Sequence, residues 1–163
     1  MPELEKMQVF IVSSPTDAKI SNKFWVHLST FRREDKRFSW ANISTKTPAL
    51  DPQSVAALSH NNSLPCAIIL CLSAHALSEI ADSYPLKELI RYSLSKELVY
   101  PLILSPCSWR EKAELPHKLM PLNGGNEHDD YIKKGDQDKL LMTSVQRLKN
   151  ALDERASLWG LYA

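Results

Sequence analysis

Short apolar runs alternate with stretches of helical periodicity along most of the chain. Residues 8–12, 38–43, 66–72 and 99–104 have the length and the side-chain types of β-strands. The run at 8–12 is continuous, which is typical of a strand buried on both faces. The run at 38–43 alternates apolar and polar residues, which predicts a strand with one exposed face.

Apolar side chains recur at helical spacing between these runs. They predict helices over residues 17–32, from 52 to about 60, from about 84, and from 138 to about 154. Thr16 or Asp17 is expected to cap the first of these helices.

The start of the third helix is set by Pro85, because proline is tolerated only in the first turn of a helix. Ser83 is its natural cap, and the helix is predicted to begin at Ser83 or Tyr84. Residues 74–82 are accordingly predicted to form an irregular or single-turn connection.

Strands that alternate with helices predict a parallel sheet covered by helices on both faces, with right-handed crossovers. A polar stretch over residues 110–136 is predicted to be a long surface loop before the last helix. The length of 163 residues predicts one domain, spanning residues 1–163.

The charge balance excludes a strong electrostatic field, since 20 basic residues face 19 acidic ones. Direct binding to nucleic acid or to an anionic membrane is therefore not expected. The apolar runs are too short to span a membrane, and the charged N-terminus does not resemble a signal peptide. Cys66, Cys71 and Cys107 are expected to be reduced thiols, which indicates a cytoplasmic protein.

Several common sites are excluded by residue type. All four glycines lie at position 124 or later, so the glycine-rich turns of dinucleotide-binding and Walker A motifs are absent. The five histidines show no metal-ligand spacing, and no metal site is expected. A phosphorelay receiver needs carboxylates at the ends of its first and third strands, where this chain has Ser13, Ser14 and Ser73. Cys107 is expected to be a structural thiol, because nothing positions a base beside it.

Glu88 is expected in the first turns of its helix, near the carboxyl end of the preceding strand. Open α/β sheets bind ligands on that side. The helix macrodipole also favours a carboxylate there without any further role. Taken alone, the position of Glu88 favours the macrodipole explanation, in which the carboxylate has no further role.

Four motifs in order resemble the Toll/interleukin-1 receptor (TIR) domain in its bacterial-type form. The first strand runs into Ser-Ser-Pro-Thr-Asp at 13–17, and the third runs into Ser-Ala-His-Ala-Leu at 73–77. An aromatic-x-x-x-Glu-Leu pattern follows at 84–89, and the fourth strand ends in Pro-Leu-Ile-Leu-Ser-Pro-Cys-Ser-Trp at 101–109. The resemblance covers residues 8–155. It implies a flavodoxin-like three-layer fold with a central parallel sheet of four to five strands.

Some TIR domains cleave nicotinamide from NAD⁺ with a glutamate at the position that matches Glu88. The resemblance therefore implies an NAD⁺ nucleosidase that releases nicotinamide and leaves ADP-ribose or a cyclic form. NAD⁺ would be the substrate, with no separate cofactor. The expected role is immune, antiviral or cell-death signalling, with self-association or binding to other TIR domains and a separate sensor protein. Other TIR domains are non-enzymatic adaptors, which is the alternative.

The implied site contains Glu88 as the catalytic carboxylate and four substrate-binding residues. Tyr84, four residues earlier on the same helical face, could stack on the substrate ring or pack in the core. Trp109 could line the cleft or pack under the following loop. Ser14 could hydrogen-bond the substrate. Trp40 completes the set, with core packing as its alternative.

The chain departs from the family pattern after the second strand. Family enzymes carry acidic residues beside the tryptophan and then a Pro-Gly loop, whereas Ala41 and Asn42 follow the tryptophan here and the loop at 44–51 has no glycine. Pro85 stands where the family often has cysteine. Since the loop contacts other TIR domains and covers the substrate, its composition favours the adaptor alternative. Glu88, Tyr84 and Trp109 together favour the enzyme.

Overall fold

The computed structural model describes residues 6–46, 65–109, 121–123, 132 and 136–161. A 3₁₀ turn at Pro15–Asp17 follows the first strand. The other described elements are, in chain order, β1 Met7–Ser13, α1 Ala18–His27, α2 Ser29–Glu34, β2 Phe38–Ser44, β3 Ala67–Leu72, α3 Ala74–Ala81, α4 Tyr84–Ser95, β4 Val99–Ile103 and α5 Gln137–Leu158.

The four strands form one parallel sheet in the order β2-β1-β3-β4. Met7 lies opposite Phe38 in the β1–β2 pair, and Ile68 lies opposite Val99 in the β3–β4 pair. The strand order reverses between β1 and β3, which makes this boundary the topological switch point. The predicted flavodoxin-like three-layer α/β fold is confirmed.

Alternate side chains of the strands enter two separate hydrophobic clusters, one on each face of the sheet. Val9 and Ile11 of β1 pack with α1, α2 and α5 in the first cluster. Phe10 and Val12 pack with α3 and α4 in the second. This arrangement explains why β3 is apolar throughout and why residues 9–12 of β1 are apolar, since both segments are covered on both sides.

The connection after β3 differs from the prediction, because residues 74–81 form a regular helix rather than an irregular turn. Ser73 caps α3, with its hydroxyl oxygen accepting from the amide of Ala76 at 3.1 Å. Ala76, Leu77 and Ile80 are buried at helical spacing. The cap and this apolar stripe stabilise two turns of helix that end before Ser83 starts the next one.

The predicted helix over residues 17–32 is interrupted at Leu28, which lies between α1 and α2 with ψ of −6°. The guanidinium of Arg32 donates to the carbonyl oxygen of Trp25 at 3.0 Å. In an unbroken helix that oxygen would accept from the amide of residue 29. The side chain of Leu28 is fully buried and contributes to the first hydrophobic cluster, although the helix is interrupted at this residue.

Both ends of α4 have defined hydrogen-bonded caps. Ser83 caps the first turn as predicted, accepting from the amide of Leu86 at 3.4 Å. At the other end the amide of Leu98 donates to the carbonyl of Ser93 at 2.9 Å, and Glu97 adopts a left-handed conformation with φ of 57°. This pattern is a Schellman motif, which sends the chain directly into β4.

Two short described pieces from the polar stretch lie along the outer edge of β4. The amide of Leu122 donates to the carbonyl of Pro101 at 2.8 Å, and the amide of Ile132 donates to that of Ile103 at 3.1 Å. The side chain of Asn123 accepts from the amide of Ile103 and donates to its carbonyl. These contacts satisfy edge groups of β4 that would otherwise lack partners.

Other predictions fall partly or wholly elsewhere in the chain. The helix predicted from residue 52, the loop from residue 47 onward, and most of residues 110–136 lie outside the described residues. Among the helices that are described, none has the length and apolar character needed to cross a membrane.

Candidate functional site

At the switch point, a hydrogen bond joins residues that follow the ends of β1 and β3. The hydroxyl of Ser73 donates to a carboxylate oxygen of Asp17 at 2.5 Å, and both side chains are buried. Asp17 occupies the N-cap position of α1, one of the two positions expected, but its side chain makes no capping hydrogen bond to that helix. Its carboxyl group accepts from Ser73 after β3 instead, because a buried polar group requires a hydrogen-bond partner.

A second polar group lies at the ends of β1 and β2, and we call it the Glu79 cluster. It consists of Glu79 from α3, Ser14 after β1, and Thr45 and Lys46 after β2. The hydroxyls of Thr45 and Ser14 hydrogen-bond the Glu79 carboxylate. The Nζ atom of Lys46 lies 3.5 Å from a Glu79 oxygen. The Glu79 carboxylate therefore connects α3 to the residues that follow β1 and β2 at the carboxyl edge of the sheet.

The Glu79 cluster favours the ionised form of its carboxylate. Burial by itself raises the pKa of Glu79, since it removes water from the charge. The hydrogen bonds from Thr45 and Ser14 and the charge of Lys46 act in the opposite direction and outweigh burial. The pKa of Glu79 therefore lies below its ordinary value of 4.5, and the group is a carboxylate at neutral pH.

Ser14, a predicted substrate-binding residue, is fully buried within this cluster. Its hydroxyl oxygen also accepts from the amide of Thr16 at 3.2 Å and caps the 3₁₀ turn. The hydroxyl thus already has two protein partners, Thr16 and Glu79.

The described cysteines show no sign of nucleophile activation. Burial raises the pKa of Cys71 to about 12, and the nearby charge of Asp17 adds to the effect. Cys107 is partly buried and packs against the second hydrophobic cluster.

Glu88, the predicted catalytic carboxylate, lies in the second turn of α4. Its side chain is 34% exposed and forms an ion pair with Arg91, which is 67% exposed. The pair is on the solvent side of the helix, whereas Leu86, Leu89 and Ile90 pack inward. Glu88 is thus available to a ligand.

Tyr84 is the first residue of α4, and 62% of its surface is exposed. Core packing, the alternative considered for this residue, does not explain that exposure. Tyr84 lies one helical turn before Glu88, and side chains at this spacing share a face. The structure therefore presents an aromatic ring and a carboxylate together on an accessible surface.

The two tryptophans lie on opposite faces of the sheet. Trp109 is 1% exposed and packs in the second cluster with the apolar side of α4. Trp40 packs against the first cluster, with its ring centroid 5.2 Å from that of Phe31. The structure brings Trp109 to the α4 side of the sheet and leaves Trp40 on the other. Their roles in substrate binding stay predictions.

Glu79 and Lys46 were not among the residues singled out from the sequence. The signal that could have found Glu79 is the helical spacing of Ala76, Leu77 and Ile80 behind Ser73, which places Glu79 off the buried stripe. Its proximity to Thr45 depends on the sheet order and has no local signature.

No group of three or more histidine, cysteine or acidic side chains among the described residues is arranged to hold a metal ion.

Comparison with known proteins does not assign the chain to a family. A scan against protein-family models found no match, and a search of curated proteins found none. The TIR resemblance therefore stays a prediction from the four sequence motifs.

Proposed function

We propose that the protein is a TIR-type NAD⁺ glycohydrolase with Glu88 as its catalytic carboxylate. The observation that carries this proposal is the placement of Tyr84 and Glu88, both accessible and one turn apart on the outer face of α4. A flat aromatic ring can stack on nicotinamide while the carboxylate faces the attached ribose. The TIR motifs at 73–77, 84–89 and 101–109 supply the reaction type.

The proposed chemistry needs one carboxylate and one water molecule. The bond between the ribose C1′ atom and the nicotinamide nitrogen breaks, and its electron pair leaves with neutral nicotinamide. Glu88 stabilises the oxocarbenium-like charge that develops on the ribose. Water then adds to C1′ and releases a proton to the solvent, which gives ADP-ribose. Attack by an adenine nitrogen in place of water would give the cyclic product.

Arg91 would regulate the availability of Glu88. Their ion pair is largely exposed, and exposed pairs contribute only about 0–1 kcal/mol. Substrate can therefore separate the two side chains at little cost.

The TIR resemblance supplies the biological setting of the proposal. The protein would act in the cytoplasm in immune, antiviral or cell-death signalling. Self-association or contact with other TIR domains, triggered by a separate sensor protein, would complete the active site.

The deciding experiment follows nicotinamide release from NAD⁺ by concentrated protein under conditions that promote assembly. We expect Glu88→Gln and Glu88→Ala to reduce the rate by about 100-fold or more. Glu154→Gln, which removes an exposed carboxylate from α5, is the matched control and should retain activity. Absence of release under every assembly condition would exclude the enzyme. Release that survives both Glu88 variants would exclude this residue as the catalytic group.

The same helix face also supports an adaptor function. Tyr84 and Arg91 are both exposed and lie about two turns apart on α4, and tyrosine and arginine are enriched at protein interfaces. An adaptor would release no nicotinamide but would self-associate or bind another TIR domain. Tyr84→Ala should then abolish association in sedimentation experiments, and a protein that stays monomeric and binds no TIR partner at high concentration would exclude this function.

A further inference from the structure

Lys46 is the one lysine or arginine in the described strand-end connections, which comprise residues 14–17, 45–46, 73 and 104–109. It is the second residue after β2, and its amide donates to the hydroxyl oxygen of Ser44 at 3.2 Å. Its side chain is 66% exposed. The backbone is therefore anchored at the carboxyl edge of the sheet, while most of the side chain is exposed to solvent.

The contact between Lys46 and Glu79 is loose. The nitrogen and oxygen are 3.5 Å apart, beyond the usual length of a charge-assisted hydrogen bond. Glu79 does not depend on Lys46, because the hydroxyls of Thr45 and Ser14 also bond its carboxylate. Glu79 is only 16% exposed, and these two hydroxyls hold its carboxylate independently of the lysine. Lys46 can therefore exchange this partner for another anion.

We propose that Lys46 binds the phosphate groups of a nucleotide at the carboxyl edge of the sheet and that Glu79 holds its ammonium group when the site is empty. The identity of the nucleotide, NAD⁺, rests on the proposed function; the anion site rests on the geometry of Lys46 and Glu79.

Two features of the chain favour a lysine for this role. The first 123 residues contain no glycine, so a glycine-rich turn cannot wrap its amides around a phosphate. A pyrophosphate at this edge would also approach the carboxylate of Glu79, which repels it. A cation between the ligand and this carboxylate offsets that repulsion, and lysine binds phosphate as a point charge without a fixed geometry.

The first test measures the binding of inorganic pyrophosphate to the full chain by calorimetry. Lys46→Gln should weaken binding about fivefold, the effect of one accessible charge contact. Glu79→Gln should strengthen binding, because it removes the competing carboxylate, and the double variant should resemble Lys46→Gln. Lys36→Gln is the matched control, since it removes an exposed lysine near the opposite end of the same strand.

The second test uses substrates with and without phosphate. Lys46→Gln should raise KM for NAD⁺ about fivefold with little change in kcat. The same variant should cleave nicotinamide riboside, which keeps the reacting bond and lacks phosphate, as the wild type does. A purely structural role for the pair would instead affect both substrates equally.

The outcomes separate this inference from the proposed function. Pyrophosphate binding that is absent in the wild type, unchanged in Lys46→Gln, or weakened equally by Lys46→Gln and Glu79→Gln would overturn the anion site. Lys46-dependent pyrophosphate binding without cleavage of NAD⁺ would support the anion site and exclude the glycohydrolase.

Discussion

The hydroxyl of Ser73 connects the buried carboxylate of Asp17 to the first turn of α3. It donates to Asp17 at 2.5 Å, and its oxygen accepts from the amide of Ala76 at 3.1 Å. One side chain therefore links the ends of β1 and β3 and also starts the helix that carries Glu79. Ser83, by comparison, caps α4 at a partly buried position, where its hydroxyl oxygen accepts from the amide of Leu86.

Replacement of Ser73 by alanine should destabilise the protein more than replacement of Ser83. Loss of a helix cap costs about 1 kcal/mol, and removal of a donor from a buried carboxylate adds about 1–3 kcal/mol. We expect a decrease of about 2–4 kcal/mol in the free energy of unfolding for Ser73→Ala and about 1 kcal/mol for Ser83→Ala. Urea denaturation of the two variants measures the difference. Equal losses would show that the Asp17 contact contributes nothing beyond the cap.

Replacement of Tyr84 by alanine should affect substrate binding and leave stability nearly unchanged. The ring is 62% exposed, and substitutions at such surface positions change stability by about 0.5 kcal/mol or less. Loss of a stacking platform should raise KM for NAD⁺ about tenfold, since stacking of a base on an aromatic ring contributes about 1–3 kcal/mol. Tyr84→Phe keeps the ring and should bind like the wild type. Steady-state kinetics with equal KM for both variants would contradict stacking.

The Glu97→Gly variant should be more stable than the Glu97→Ala variant. Glu97 has φ of 57°, a left-handed conformation that side chains with a Cβ atom adopt at a cost. Both substitutions remove the exposed ion pair with Arg155, so their difference isolates the backbone. We expect Glu97→Gly to exceed Glu97→Ala by about 1 kcal/mol in the free energy of unfolding.

The same two substitutions at Glu154, inside α5, provide the control for position 97. Alanine should be the more stable there by about 1 kcal/mol, because glycine is unfavourable within a helix. Thermal or urea denaturation of the four variants checks both orders. The same order at positions 97 and 154 would contradict the left-handed conformation.

Glu79 should make stability depend on pH in the acidic range. Its pKa in the folded protein lies below the ordinary value of 4.5, so the unfolded chain binds a proton more readily. The resulting stabilisation is present above pH 4.5 and is lost as the pH falls through the lower, folded-state pKa. Glu79→Gln lacks this contribution. The stability difference between wild type and Glu79→Gln should therefore shrink on acidification, and a constant difference across that range would contradict the lowered pKa.

Much of the fold could be predicted from the sequence because its signals are local. Continuous or alternating apolar runs predicted the strands, and Pro85 behind Ser83 predicted where α4 begins. The prediction was wrong where a local signal was underestimated, as at residues 74–81, or where a side chain takes the place of a backbone donor, as Arg32 does at the carbonyl of Trp25. Neither error changed the succession of the four strands along the chain or the class of fold.

The candidate site was predictable only in part. Glu88 and Tyr84 lie one turn apart on one helix, so their shared face follows from helical geometry and the sequence was sufficient to place them together. Trp40 and Trp109 come from different strands, and the face of the sheet that each one joins depends on strand register and packing. The sequence could not determine that they lie on opposite sides.

The sequence by itself determined the apolar strands, the start of α4 and the exclusion of a glycine-rich phosphate cradle, because each depends on neighbouring residues or on residue type alone. Only the tertiary structure decided that Asp17 meets Ser73 and that Glu79 meets Thr45, Ser14 and Lys46. These contacts join residues from separate strands and helices. They exist because the parallel sheet brings the ends of β2, β1 and β3 side by side, which no local pattern specifies.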